Sequence, residues 1–157
     1  MGADLFDTET TGKDFDEAFQ RAVDNAFYDY GHAGYTGSIC EKPGAYLIPT
    51  PKGTKAYDVM RVIVDAQGWD EPLRMNPSNP EFAERQKKHH EQTAVAFKQV
   101  VKWFGHDEAE KIVTMSDDKW ADAVGIELNV GEQGRIPLDG FRGRSVRRFL
   151  FFGWASC

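Results

Sequence analysis

A glycine-rich stretch, Tyr30–Lys42, contains the side chains best suited to chemistry. Loops of this composition can bring backbone N–H groups close to a ligand, and an imidazole such as that of His32 can exchange protons near neutral pH. The candidate ligand-binding residues of the stretch are His32, Tyr35, Thr36, Glu41 and Lys42. The competing structural interpretation is a helix end followed by a bulged strand, with His32 bonded to helix carbonyls.

An arginine-rich segment near the C-terminus, residues 142–148, could complete a site at Gly31–Lys42. Arginines bind phosphates, and aromatic side chains stack on bases. The further candidates for this nucleotide or phosphate site are Lys119, Trp120, Arg144 and Arg147. The net charge of −6 disfavours nucleic acid as a partner.

A pair of carboxylates, Asp7 and Glu9, lies in the first predicted strand. The segment Phe6–Gly12 resembles the first motif of the DnaQ-like (DEDD) exonucleases, in which an Asp-x-Glu pair holds two divalent metals for phosphodiester hydrolysis. That family also requires a second aspartate and a His–Asp pair, and no histidine of this chain has the matching spacing. An edge strand with a solvated acidic face is therefore favoured over a nuclease acting through Asp7 and Glu9.

Metal-ligand spacing is not found among the histidines and cysteines. His89 and His90 are adjacent, so on a helix their side chains point about 100° apart. Neither a P-loop nor a dinucleotide-binding glycine pattern is present. We therefore expect no metal and no cofactor, and we interpret Cys40 as a buried strand thiol.

A long helix is predicted from Asn79-Pro80 to Phe104, because Asn is a good cap and Pro suits the first helical position. Its second half has an apolar stripe, whereas its first half is polar nearly all round. We expect the polar half to project into solvent or to lie under a partner. The candidate partner-binding residues are Arg85, Lys87, Lys88 and His89.

Apolar periodicity predicts the other elements. They are a strand at 4–10, a helix at 14–30, a hairpin of strands 38–41 and 45–48, helices at 53–68 and 107–114, and strands at 123–128 and 146–154. The last strand is apolar on both faces, as is typical of a central strand.

This order predicts an α+β fold, with a mostly antiparallel sheet, helices on one face and an inserted long helix. A chain of 157 residues is predicted to form one domain, 1–157, with a helical insertion at about 75–112. Residues 1–34 contain eight acidic and two basic side chains, whereas residues 135–157 contain five arginines and one acid. We expect the two ends of the chain to be neighbours, because paired strands of opposite charge attract.

No apolar run approaches the length of a membrane helix, and the N-terminus lacks the pattern of a signal peptide. With two cysteines only, the expected location is the cytoplasm and no membrane partner is expected.

Three segments, Tyr30–Lys42, Asp118–Leu128 and Phe151–Ser156, resemble a group of small proteins of unassigned function encoded by tailed bacteriophages. The resemblance covers roughly residues 3–50 and 116–157 and supplies no catalytic residue. It implies an accessory protein that acts in the host cytoplasm.

The first functional hypothesis is therefore a phage-type accessory protein that binds a host or phage macromolecule, by its acidic N-terminal face or by the helix 80–104, and modulates the host or blunts a defence system. The second is a small-ligand site or enzyme at Gly31–Lys42, with His32 and Tyr35 in a pocket next to Trp120. We lean towards a protein that is not an enzyme.

Overall fold

The computed structural model describes residues 2–32, 34–129 and 147–157. Within these residues the chain forms four strands and four α-helices, with one turn of 3-10 helix at Ile39–Glu41. In chain order the elements are β1 (Ala3–Gly12), α1 (Phe15–Tyr30), β2 (Ala45–Ile48), α2 (Ala56–Asp65), α3 (Pro80–Phe104), α4 (His106–Asp117), β3 (Ala123–Glu127) and β4 (Arg147–Ser156).

The four strands form one sheet in the order β1-β4-β3-β2. β4 pairs antiparallel with both β1 and β3, whereas β2 pairs parallel with β3. The β1–β4 ladder runs from Ala3 opposite Ser156 to Gly12 opposite Arg147. The α+β class is confirmed, and β4 is the central strand that its apolar sequence predicts.

The predicted hairpin at 38–48 is wrong. Residues Ile39–Glu41 form a 3-10 turn, and β2 pairs with the distant β3. Ile39 is 1% exposed and belongs to the apolar cluster beneath α1, so this short segment is fixed by burial of one side chain. The parallel β2–β3 pair needs a long crossover connection, which α2, α3 and α4 provide.

α1 packs against one face of the sheet through small side chains. The Asp14 carboxylate caps its first turn by accepting a hydrogen bond from the Glu17 N–H at 2.8 Å. Its buried residues are Ala18, Ala22 and Ala26. The Phe15 ring closes the end of the interface, 5.3 Å from the ring of Phe151, measured between centroids.

The other face of β4 is equally apolar. Leu150 and Phe152 are fully buried and lie opposite Ile126 and Val124 of β3. Burial on both faces explains why four consecutive apolar residues occupy one strand.

The chain divides into two compact units, one of residues 1–60 and 115–157 and one of residues 61–114. In the second unit, α3 begins as predicted, with the Asn79 side chain accepting from the Phe82 N–H and Pro80 at the first turn. The indole of Trp69 stacks on Phe97 with the ring centroids 3.9 Å apart, and His106 packs edge-on against both rings. In the described residues no helix is long and apolar enough to cross a membrane.

A methyl group at Gly125 is predicted to destabilise the first unit. A Cβ there would overlap the ring of Phe15, so we expect Gly125→Ala to lower the free energy of unfolding by about 1–3 kcal/mol, as overpacking does. Urea denaturation measures the effect. In a Phe15→Ala background the same substitution should cost much less, and an equal cost in both backgrounds would contradict this packing.

Candidate functional site

The segment after α1 turns sharply to reach the end of the sheet. Tyr35 has φ +55°, and Gly37 has φ +68°. The Gly37 N–H donates to the carbonyl of Ser156 at 2.8 Å, and a Cβ on Gly37 would lie 2.7 Å from a carboxylate oxygen of Asp4. Glycine is therefore required here both by its backbone conformation and by its closeness to β1.

A small polar cluster fixes the shape of this segment. The Thr36 hydroxyl lies 2.7 Å from the Ser38 hydroxyl and donates to Oε1 of Glu41 at 3.2 Å, and the Thr36 N–H donates to the same oxygen. The half-buried thiol of Cys40 lies 3.0 Å from Ser38 Oγ. Cys40 thus lies in the 3-10 turn and not in a strand, and the cluster holds Thr36 and Ser38 in place.

Lys42 joins two segments that the sequence predicts to lie together. Its side chain is 6% exposed, and its ammonium group donates to the carbonyl of Asp118 at 3.0 Å. Burial lowers the pKa of Lys42 from 10.5 to about 8, although the carboxylates of Asp118 and Asp122 act to raise it. Lys42 therefore ties the 118–122 turn to the 3-10 segment.

A groove with a volume of about 550 Å³ lies between β1, α1 and the segment Thr36–Ile39. The β1 wall consists of consecutive residues, Asp4–Thr8. The α1 wall consists of Ala22, Asn25, Ala26, Asp29 and Tyr30, which are spaced to share one helix face.

Backbone atoms of β1 contribute to its wall of the groove. Successive side chains of a strand point to opposite faces, so five consecutive residues cannot all line one wall by their side chains. β1 is the first strand of the sheet, and none of the described strands pairs with its outer side. At about 3.4 Å per residue this wall is about 17 Å long.

The groove is apolar at its base and acidic at its rim. Phe6 and Ile39 are buried at the base, whereas the exposed acidic residues Asp4, Asp7 and Asp29 also belong to its lining. Among the residues that the structure describes, no lysine or arginine lines the groove. This charge pattern suits a cationic group and repels a phosphate.

Several predicted ligand-binding residues lie outside the groove. The imidazole of His32 stacks on Phe27 with the ring centroids 4.3 Å apart. Tyr35 and Trp120 are 52% and 56% exposed, and the Lys119 ammonium lies 5.2 Å from the centre of the Trp120 ring. Of the predicted residues that the structure describes, only Thr36 lines the groove; a ligand-binding role for the others stays a prediction.

Arg147 supports the sheet. Its guanidinium makes two hydrogen bonds to the carboxylate of Glu127, at 2.9 and 2.8 Å. This pairing lowers the pKa of Glu127 and raises that of Arg147. Arg144 lies outside the described residues.

Asp7 and Glu9 share the face of β1 that points away from Phe6, as predicted. Glu9 accepts a hydrogen bond from the Tyr57 hydroxyl, and Asp7 lines the groove. Within residues 2–32, 34–129 and 147–157, no group of three or more His, Cys, Asp or Glu side chains could hold a metal ion. A nuclease role for Asp7 and Glu9 stays a prediction.

The predicted partner-binding residues of α3 are all exposed, and Arg85, Lys88 and His89 are spaced to share one face of the helix. Lys88 lines a shallow hollow beside Val95. His89 lines a different cavity. Contact with a partner through these four residues stays a prediction.

Sequence reasoning missed the helix wall of the groove. The sequence showed Asp29 as part of the acidic excess of residues 1–34 and Tyr30 as part of the apolar periodicity of the predicted helix. β1 is the edge strand that the sequence predicts, but the position of α1 beside that edge is encoded by no local pattern.

Comparison with known proteins gave no match: no protein-family model, curated protein or solved structure proved similar to this chain.

The buried charge of Lys42 predicts a specific pH dependence of stability. Between pH 8 and 10.5 the unfolded chain keeps the Lys42 proton that the folded protein has lost, so the free energy of unfolding gains a contribution as the pH rises through this window. Lys42→Met removes that contribution. Chemical denaturation at several pH values should show wild type gaining stability relative to Lys42→Met from pH 8 to 10.5.

The exposed Lys52 provides the control for this measurement. Lys52→Met should follow wild type across the same window. A stability difference between wild type and Lys42→Met that does not change with pH would contradict the buried position of the Lys42 ammonium group.

Proposed function

We propose that this chain is a binding protein that takes an extended, basic segment of a partner protein into the groove between β1 and α1. The observation that supports the proposal is the groove itself, with a strand edge on one side and a helix face on the other. An extended peptide can add to such an edge as a further strand, and its main-chain hydrogen bonds then supply affinity.

The lining of the groove favours a peptide in which basic and apolar residues alternate. Side chains of an added strand point alternately to its two faces. One set would meet the apolar base at Phe6 and Ile39, with Asp4 on the same face of β1, and the other set would lie on the side of Asp7. Electrostatic complementarity of this kind mainly increases the association rate and the specificity.

A protein partner fits the groove better than a nucleotide or phosphate ligand does, because the described part of the lining has three acidic residues and no basic one. Histidine, cysteine and lysine, which are common acid–base and nucleophilic groups, are also missing from the lining residues that the structure describes. In this proposal the partner is a host or phage protein in the cytoplasm, in keeping with the resemblance to small phage accessory proteins.

A labelled peptide in which arginine and valine alternate tests the charge of the groove. Fluorescence anisotropy should show saturable binding, and Asp29→Lys should weaken it about three- to tenfold, since the reversal turns an attraction at an exposed site into a repulsion. Asp24→Lys is the matched control, because Asp24 lies on α1 outside the groove lining. Equal weakening by both variants, or no effect of Asp29→Lys, would contradict the proposed position.

Backbone methylation of the same peptide tests strand addition. An added strand pairs through every second N–H group, so N-methylation of one alternate set should weaken binding at least tenfold while methylation of the other set leaves it nearly unchanged. If both methylated peptides bind as the parent peptide does, the peptide does not pair with the edge of β1.

A further inference from the structure

The unit formed by residues 61–114 has its own cavity, of about 410 Å³, between the chain that follows α2 and the first half of α3. One wall, the helix wall, is formed by four residues of α3: Gln86, His89, His90 and Thr93. The last three follow Gln86 by three, four and seven positions, so all four lie on one face of the helix. The opposite wall is formed by residues 67, 68 and 71–74.

Hydrogen bonds hold both walls in place. The side-chain oxygen of Gln86 accepts a hydrogen bond from the Asn76 N–H at 3.0 Å, which ties the loop before α3 to the helix. Gly68 has φ +81°, and its carbonyl accepts from the Glu71 N–H at 3.0 Å, which closes a tight turn. The Thr93 hydroxyl donates to the carbonyl of His89. The cavity is thus shaped by contacts within this unit.

Residues with donor groups line the cavity on two sides. Arg74 belongs to the loop wall, and His89 and His90 belong to the helix wall. The Gln86 oxygen is engaged by the loop, so its NH₂ group remains as a donor. One guanidinium can donate to both oxygens of a carboxylate. A phosphoryl group has three peripheral oxygens, which can accept hydrogen bonds from donors on both walls.

We propose that this cavity binds the phosphoryl group of a small organic phosphate. Arg74 and the two imidazoles bind the phosphoryl oxygens, and Pro72 and Leu73 lie beside the rest of the ligand. Glu71, the one acidic residue among the described residues of the lining, lies at the Gly68 turn and accepts a hydrogen bond from a ligand hydroxyl. This site is independent of the peptide groove, and either proposal can fail without the other.

The test is a titration of the full chain with inorganic phosphate at constant ionic strength, followed by ¹H–¹⁵N NMR. We expect saturable shifts of the Gly68 amide, the Arg74 side chain and the His90 amide. Arg74→Gln should weaken binding about tenfold or more, because a hydrogen bond to a charged group is lost. Arg85→Gln removes the same charge from an exposed position of α3 outside the cavity and should leave binding unchanged.

Phosphoserine as a second probe shows whether the cavity accepts more than the ion: the shifts should extend to the Glu71 amide. Shifts that do not saturate, or that weaken equally in Arg74→Gln and Arg85→Gln, would show only general attraction to positive charge and would overturn the proposal. Arg74 is exposed, so its variant is expected to fold, and an unchanged spectrum elsewhere in the molecule checks this.

Discussion

Pairing between β1 and β4 is the constraint on which the rest of the first unit depends. All ten residues of β1 lie opposite residues of β4, whose other side is paired with β3. β1 therefore has one bonded edge, and its outer edge faces no described strand. Only Lys13 and Asp14 separate β1 from α1, so the helix must turn back and lie along the strand that precedes it.

The distance between α1 and β1 explains where the groove opens. At the connected end the two backbones are in close contact: the Thr10 hydroxyl donates to the carbonyl of Ala18 at 2.7 Å, and a Cβ on Gly12 would lie 2.6 Å from the Ala18 nitrogen. At the other end α1 presents Asn25 to Tyr30 beside Asp4 to Thr8, and there the groove forms. The polar cluster around Thr36 closes the end of the groove.

Local patterns predicted the elements, and long-range pairing decided the site. The Asn79-Pro80 start of α3, the alanine face of α1 and the central position of β4 all follow from residue type and spacing. The predicted hairpin at 38–48 failed because burial of Ile39 and pairing with β3 outweigh turn signals. The sequence also identified the acidic N-terminal segment, Thr36 and the closeness of the two chain ends, which the β1–β4 ladder confirms, but it did not show where α1 lies beside β1.

Hydrogen–deuterium exchange of the β1 amides, with and without the arginine–valine peptide, tests strand addition most directly. The outer edge exposes every second N–H group of β1, and exchange at these amides should slow on binding while the amides bonded to β4 change little. Slower exchange confined to α1, or no change along Ala3–Gly12, would contradict the claim that this edge receives a partner strand.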